Sequence, residues 1–151
     1  MKITLERAVR NVDELDLDLV VAHLTVLQER GLYERALLNA YVNTKHVHWS
    51  QAAIIDLFRL ANPARLRRLG NGLNRSGPLT LFQGRSARHD GAGLSWTLDV
   101  EQARWFAKRH SDPAIWTGTV AAPDVLAYVN RKEEKEILAL PERVTGQQRV
   151  E

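Results

Sequence analysis

Nine residues, GNGLNRSGP at positions 70–78, divide this 151-residue chain into two halves that follow different patterns. Glycine, asparagine, serine and proline concentrate there, and these are the residue types that interrupt regular structure. Before the divide, apolar residues recur at helical spacing. After it, short apolar runs separated by turn formers read as strands. A chain of this length supports one domain, or a helical subdomain on a small sheet, but not two independent cores. The expected fold is therefore α+β, with three or four N-terminal helices packed on a small, mainly antiparallel sheet. The expected organisation is a helical subdomain over 1–78, a β core over 79–147 and a tail at 148–151, frayed and polar after Arg143.

Leu15, Leu19, Ala22, His23 and Val26 predict a helix over 13–30 that Gly31 stops. Asp13, Glu14, Asp16 and Asp18 suit the positive end of its dipole. A second helix is expected over 33–42. A third follows Ser50 as N-cap, with Ala53, Ile54, Leu57, Phe58 and Ala61 on one face. Pro63 either ends it or opens a short helical turn carrying Arg65 to Leu69. Beyond the divide, strands are expected over 79–84, 94–97, 115–120, 125–129 and 135–140, with Pro123 and Asp124 turning the chain between two of them. A helix over 99–110 is capped by Asp99 and buries Ala103, Phe106 and Ala107.

The formal net charge of +3 conceals an asymmetry. Seven arginines (Arg59, Arg65, Arg67, Arg68, Arg75, Arg85 and Arg88) and no Asp, Glu or Lys occupy 59–88, leaving 14 of the 21 basic residues against all 18 acidic ones elsewhere. Such a stretch needs counter-anions: solvent ions, an acidic protein face, nucleic acid or a phosphate-bearing ligand. A solvated basic face is the plain alternative. The absence of cysteine excludes a disulfide scaffold, a thiol nucleophile and a sulfur-based zinc site. With no apolar run near membrane-span length, the expected setting is the cytoplasm, although a cysteine-free chain is also compatible with secretion.

Three segments of the second half carry groups able to do chemistry: LFQGR at 81–85, GLSWT at 93–97 and RKEEKEILALP at 131–141. Side chains alternate across a strand, so Ser95 and Thr97 share one face while Trp96 points to the other. On a strand Glu134 and Glu136 also share a face, roughly 6 to 7 Å apart. Two such carboxylates can divide labour, one holding a ligand hydroxyl and the other orienting or deprotonating a nucleophile. The plain reading of Glu-Lys-Glu is a charged strand edge that discourages aggregation. His46 and His48 alternate and could offer two imidazoles to a metal, but no third ligand follows at recognisable spacing, so no metal site is assigned. The loop over 86–93, which contains His89, either closes over a ligand or serves as a connector.

Taken together, these segments resemble the small, toxin-like mono-ADP-ribosyltransferases. That family carries an Arg on its first core strand, a Ser-x-Thr or Ser-Thr-Ser strand, and a Glu-x-Glu ahead of its last core strands. The resemblance covers 79–141 and implies a split sheet, with NAD as substrate in the cleft between its halves and the basic stretch at the rim. It implies Glu136 as the catalytic glutamate, Ser95 as the residue orienting it, and Glu134 as the residue positioning the acceptor. It further implies a cofactor site formed by Gln83, Gly84, Arg85, Ser95, Trp96 and Thr97, with Thr97 supporting the nicotinamide pocket. The first motif departs from the family, because Gln83 stands where the NAD-binding arginine is usual. A Gln hydrogen-bonds but cannot neutralise a pyrophosphate. Arg85, two residues on and on the same strand face, is the candidate replacement. The acceptor implied is a protein, arginine by analogy with Glu-x-Glu enzymes, with nucleic acid as an alternative and no membrane. Two other classes stay open: a catalytically silent relative that binds a partner, and a nucleic-acid-binding module built on 59–88.

Overall fold

The computed structural model describes residues 4–88 and 93–151 and divides the chain into two compact units, Met1–Leu66 and Arg67–Glu151. The fold is α+β, with a helical N-terminal half and a six-stranded antiparallel sheet in the C-terminal half.

In the first unit, α1 (Leu5–Arg10) is capped by the Thr4 hydroxyl and α2 (Leu17–Ala22) by the Asp16 carboxylate. The helix expected over 13–30 begins later and is broken. Asp13 lies in a 3-10 turn (Val12–Glu14), where its carboxylate accepts from Arg35 and Asn39. His23 (φ −114°, ψ 22°) then separates α2 from α3 (Leu24–Glu29). Gly31, at φ 68°, takes the left-handed conformation that ends the run. The next helix, α4 (Tyr33–Asn43), is followed by α5 (Gln51–Arg59), which Ser50 caps through Ala53 N. Leu17, Val20, Leu27, Tyr33, Leu37, Ile54 and Phe58 are buried. The Tyr33 hydroxyl satisfies itself on the Leu57 carbonyl at 2.6 Å. Pro63 opens α6 (Pro63–Leu69), which spans the division between the units.

The second unit contains β1 (Leu79–Ser86), β2 (Ser95–Thr97), α7 (Val100–Ala107), β3 (Pro113–Val120), β4 (Ala127–Val129), β5 (Glu136–Leu138) and β6 (Thr145–Arg149). Spatial order is β4-β5-β2-β1-β3-β6, all antiparallel. One face carries the core of Leu79, Leu81, Trp96, Val120, Val125, Ile137, Ala139 and Val144. On the other, Ala103 and Ala107 of α7 pack with Ile115 and Phe82. Gly84 permits that approach, since a Cβ there would meet the Ala103 carbonyl and stand 2.7 Å from Ala107 N. The sheet is thinnest between β1 and β2, where Phe82 and Thr97 are the one paired position, against eight between β1 and β3.

Two expectations about organisation are corrected. Residues 67–78 belong with the sheet and not with the helices. Arg67 donates to the Val125 and Pro123 carbonyls, Asn71 N donates to the Tyr128 carbonyl at 2.7 Å, and Leu73 packs on the sheet core. The tail is not frayed: β6 pairs with β3, and Ile115 exchanges backbone hydrogen bonds with Val150 and Glu151. Backbone pairing orders this polar edge strand without side-chain burial.

Candidate active site

Strand pairing brings together residues about forty positions apart in sequence. On β2 and β5, Thr97 stands opposite Glu136 and Ser95 opposite Leu138, so Ser95, Thr97 and Glu136 lie on one sheet face. The Ser95 side chain hydrogen-bonds the Glu136 carboxylate diagonally across the pair. Burial above all raises the Glu136 pKa. The bond from Ser95 opposes that rise, the charge of Glu134 adds to it, and the charge of Arg131 lowers it.

Glu134 does not share a strand with Glu136. It sits in αR conformation (φ −71°, ψ −19°) after the 3-10 turn Arg131–Glu133, and β5 begins only at Glu136. Lys132, Glu133 and Lys135 around it have φ of 50°, 60° and 51°, the left-handed region that non-glycine residues seldom enter. Such positions persist where surrounding contacts impose them, and they cluster at functional sites. Here Thr97 supplies one contact. Its hydroxyl donates to the Glu134 carbonyl at 2.8 Å and accepts from Asp99 N at 3.1 Å. Thr97 is 5% exposed, so it fixes the turn bearing Glu134 from beneath instead of presenting its hydroxyl to solvent.

Gln83 and Arg85 alternate onto the opposite face, with Trp96 and Trp116. Arg85 is 5% exposed, and its guanidinium lies 4.6 Å from the Trp116 ring centroid and 5.4 Å from that of Trp96. It donates to the Gln83 and Gln147 side-chain oxygens. Gln83 in turn donates its amide to the Ser95 carbonyl at 2.7 Å. Among the residues expected to line a cofactor site, Gly84 is packed beneath α7, and Trp96 is 2% exposed in the sheet core. Of the expected site residues, Gln83, Ser95, Glu134 and Glu136 have half-exposed side chains, Gln83 on the face opposite Ser95 and Glu136. Sequence reasoning missed Arg131 and Gln147. Arg131 opens the third segment, and its charge acts on Glu136 across the turn between them, a conformation that composition does not announce; Gln147 belongs to none of the segments and meets Arg85 only once the strands pair.

The basic stretch is largely compensated within each unit. Arg59 pairs with Asp56, Arg65 with the buried Glu34 and Arg88 with Asp112, while Arg67 and Arg85 are held as described. His46 and His48 take different partners, the Tyr41 carbonyl and the Asp18 carboxylate. His89, with residues 90–92, lies outside the described residues. Among the described residues, no helix is long and apolar enough to cross a membrane. Comparison with protein-family models, curated proteins and solved structures finds no match.

Proposed function

We propose that this chain is an NAD-dependent mono-ADP-ribosyltransferase acting in the cytoplasm on a macromolecular acceptor, most simply a protein arginine. The observation that carries the reading is the Ser95–Glu136 hydrogen bond across β2 and β5, with Glu134 in electrostatic range of the same carboxylate. In the reaction, the glycosidic C–N bond of NAD breaks and nicotinamide leaves with the bonding pair. Glu136 holds the ribose 2′-hydroxyl and stabilises the positive charge developing at the anomeric carbon, a role strengthened by its half-buried setting. An acceptor nitrogen attacks from the opposite face, forms the new bond and loses a proton to Glu134 or solvent. A guanidinium acceptor suits Glu134, because a carboxylate can pair with it through two hydrogen bonds.

NAD with an isotopic label in its adenosine half, incubated with cell lysate, tests this. Label should enter macromolecules with the wild type and not with Glu136→Gln. Glu134→Gln should keep nicotinamide release while losing transfer. No label and no nicotinamide release from a folded wild type would reject the reading. One observation favours a silent relative instead: Gln83 carries no charge, and Arg85 is buried away from the Glu136 face. Internal pairing of the arginines weighs against a nucleic-acid module built on them.

A further inference from the structure

Backbone hydrogen bonds leave a gap in the sheet beside the candidate site. The Leu94 carbonyl accepts from Ala139 N and Leu98 N donates to Lys135, so these alternate positions of the β2 segment bond toward β5. Alternation turns the Ser95 carbonyl toward β1. There the strands part after the single pair Phe82–Thr97, and among the described residues the pairing of β1 with β2 does not continue to Ser95. The Gln83 side-chain amide meets that carbonyl at 2.7 Å, where a ladder amide would otherwise stand. Its oxygen is occupied by Arg85, which is itself stacked against Trp96 and Trp116 and tied to Gln147 of β6.

Resting on the catalytic reading above, we propose that Gln83 is a positioning residue: its amide stitches β2 to β1 at Ser95, and Arg85 locks the amide in that orientation. Ser95 is the residue that hydrogen-bonds Glu136, so the stitch fixes the hydroxyl that fixes the carboxylate. The glutamine is then suited to a task an arginine could not perform. It must accept from Arg85 and donate to Ser95 at once, whereas a guanidinium only donates and would stand against a second guanidinium. The buried, doubly stacked Arg85 serves the stitch and does not meet the dinucleotide.

Two measurements on the full chain test this. The first is NMR titration of the Glu136 side-chain carboxyl, which needs no activity. Gln83→Met removes both bonds at near-constant volume, and Gln83→Asn keeps the amide but cannot span the gap. Glu134 and Arg131, the charged groups facing Glu136, are untouched. In both variants the Glu136 midpoint should move upward, with slow exchange of the Trp96 and Ile137 amides showing that the sheet is intact. An unmoved midpoint in a folded variant overturns the proposal. The second is steady-state NAD turnover. Both variants should lose about tenfold in kcat while KM for NAD stays within about threefold, the pattern of lost positioning. A KM that rises with kcat intact, or a gain in turnover from Gln83→Arg, would make this position a dinucleotide grip and overturn the proposal. A wild type without NAD turnover would sink the catalytic reading alone, and the titration would still decide the stitch.

Discussion

Thr97→Val replaces one side chain by another of nearly equal volume and deletes a hydroxyl that makes two hydrogen bonds. One is donated to the Glu134 carbonyl at 2.8 Å and the other accepted from Asp99 N at 3.1 Å, at a residue 5% exposed. Each bond is worth about 1 kcal/mol net, and a buried group left without its partner costs about 1–3 kcal/mol. Glu134 and Asp99 are only partly buried, so water can reach the orphaned groups and the low end applies. The expected loss is about 2–3 kcal/mol for the sheet unit. Thr97→Ser keeps both bonds and loses one methyl, at about 1 kcal/mol.

Because the chain has two units, a single unfolding midpoint can mix two events. Amide exchange at Trp96 and Ile137, in the sheet core, reports the second unit alone. Exchange through opening of that unit should accelerate about 30- to 150-fold in the Val variant, from the same 2–3 kcal/mol at 1.4 kcal/mol per decade, and about fivefold in the Ser variant. A Val variant within about 0.5 kcal/mol of wild type, or a Ser variant as damaged as Val, would refute the role given to the hydroxyl.

Other outcomes follow from the same geometry. The folded chain holds the Glu136 proton more tightly than the unfolded chain, chiefly through burial, so the ionised side chain costs stability at neutral pH and the cost disappears as pH falls. Glu136→Gln should therefore be more stable than wild type at pH 7, with the gain vanishing below about pH 4; a gain independent of pH would contradict this. Asp112 has the opposite sign: the Ser86 hydroxyl first of all, then Arg88, lowers its pKa. Its contribution is present above the ordinary carboxylate value and lost as pH falls through the lowered one, so Asp112→Asn should be costly at pH 7 and nearly silent in acid. Gly84→Ala drives a methyl into the α7 backbone and should cost about 1–3 kcal/mol in urea unfolding, whereas an unaffected variant would mean α7 can lift away.

Local patterns carried much of the fold. Ser50 and Asp99 do cap their helices, and the strand edges fall within a few residues of the hydrophobic runs. Period-two alternation was enough to set Ser95 and Thr97 on one face, which is the face Glu136 occupies. What escaped depends on tertiary context. The Thr-Gly-Gln-Gln-Arg of β6 has no apolar alternation because an edge strand needs only a neighbour's backbone. Glu134 does not share a strand face with Glu136 because Lys135 turns at φ 51°, a conformation that no composition signal announces for lysine. The arginines of 59–88 read as seeking an external anion because partners such as Glu34 and Asp112 lie far away in sequence. Gln83 read as a lost charge because its two partners, Arg85 and the Ser95 carbonyl, meet it only once the strands are aligned.

The central claim is that Glu136 breaks the glycosidic bond of NAD, and nicotinamide release tests it most directly. Wild type and Glu136→Gln, both shown folded by slow exchange of the Trp96 amide, are incubated with NAD with and without lysate. The account predicts release by the wild type, enhanced by acceptor and absent in the variant. Equal release by both proteins would take the chemistry away from Glu136, and no release by either would leave the chain as a binding fold.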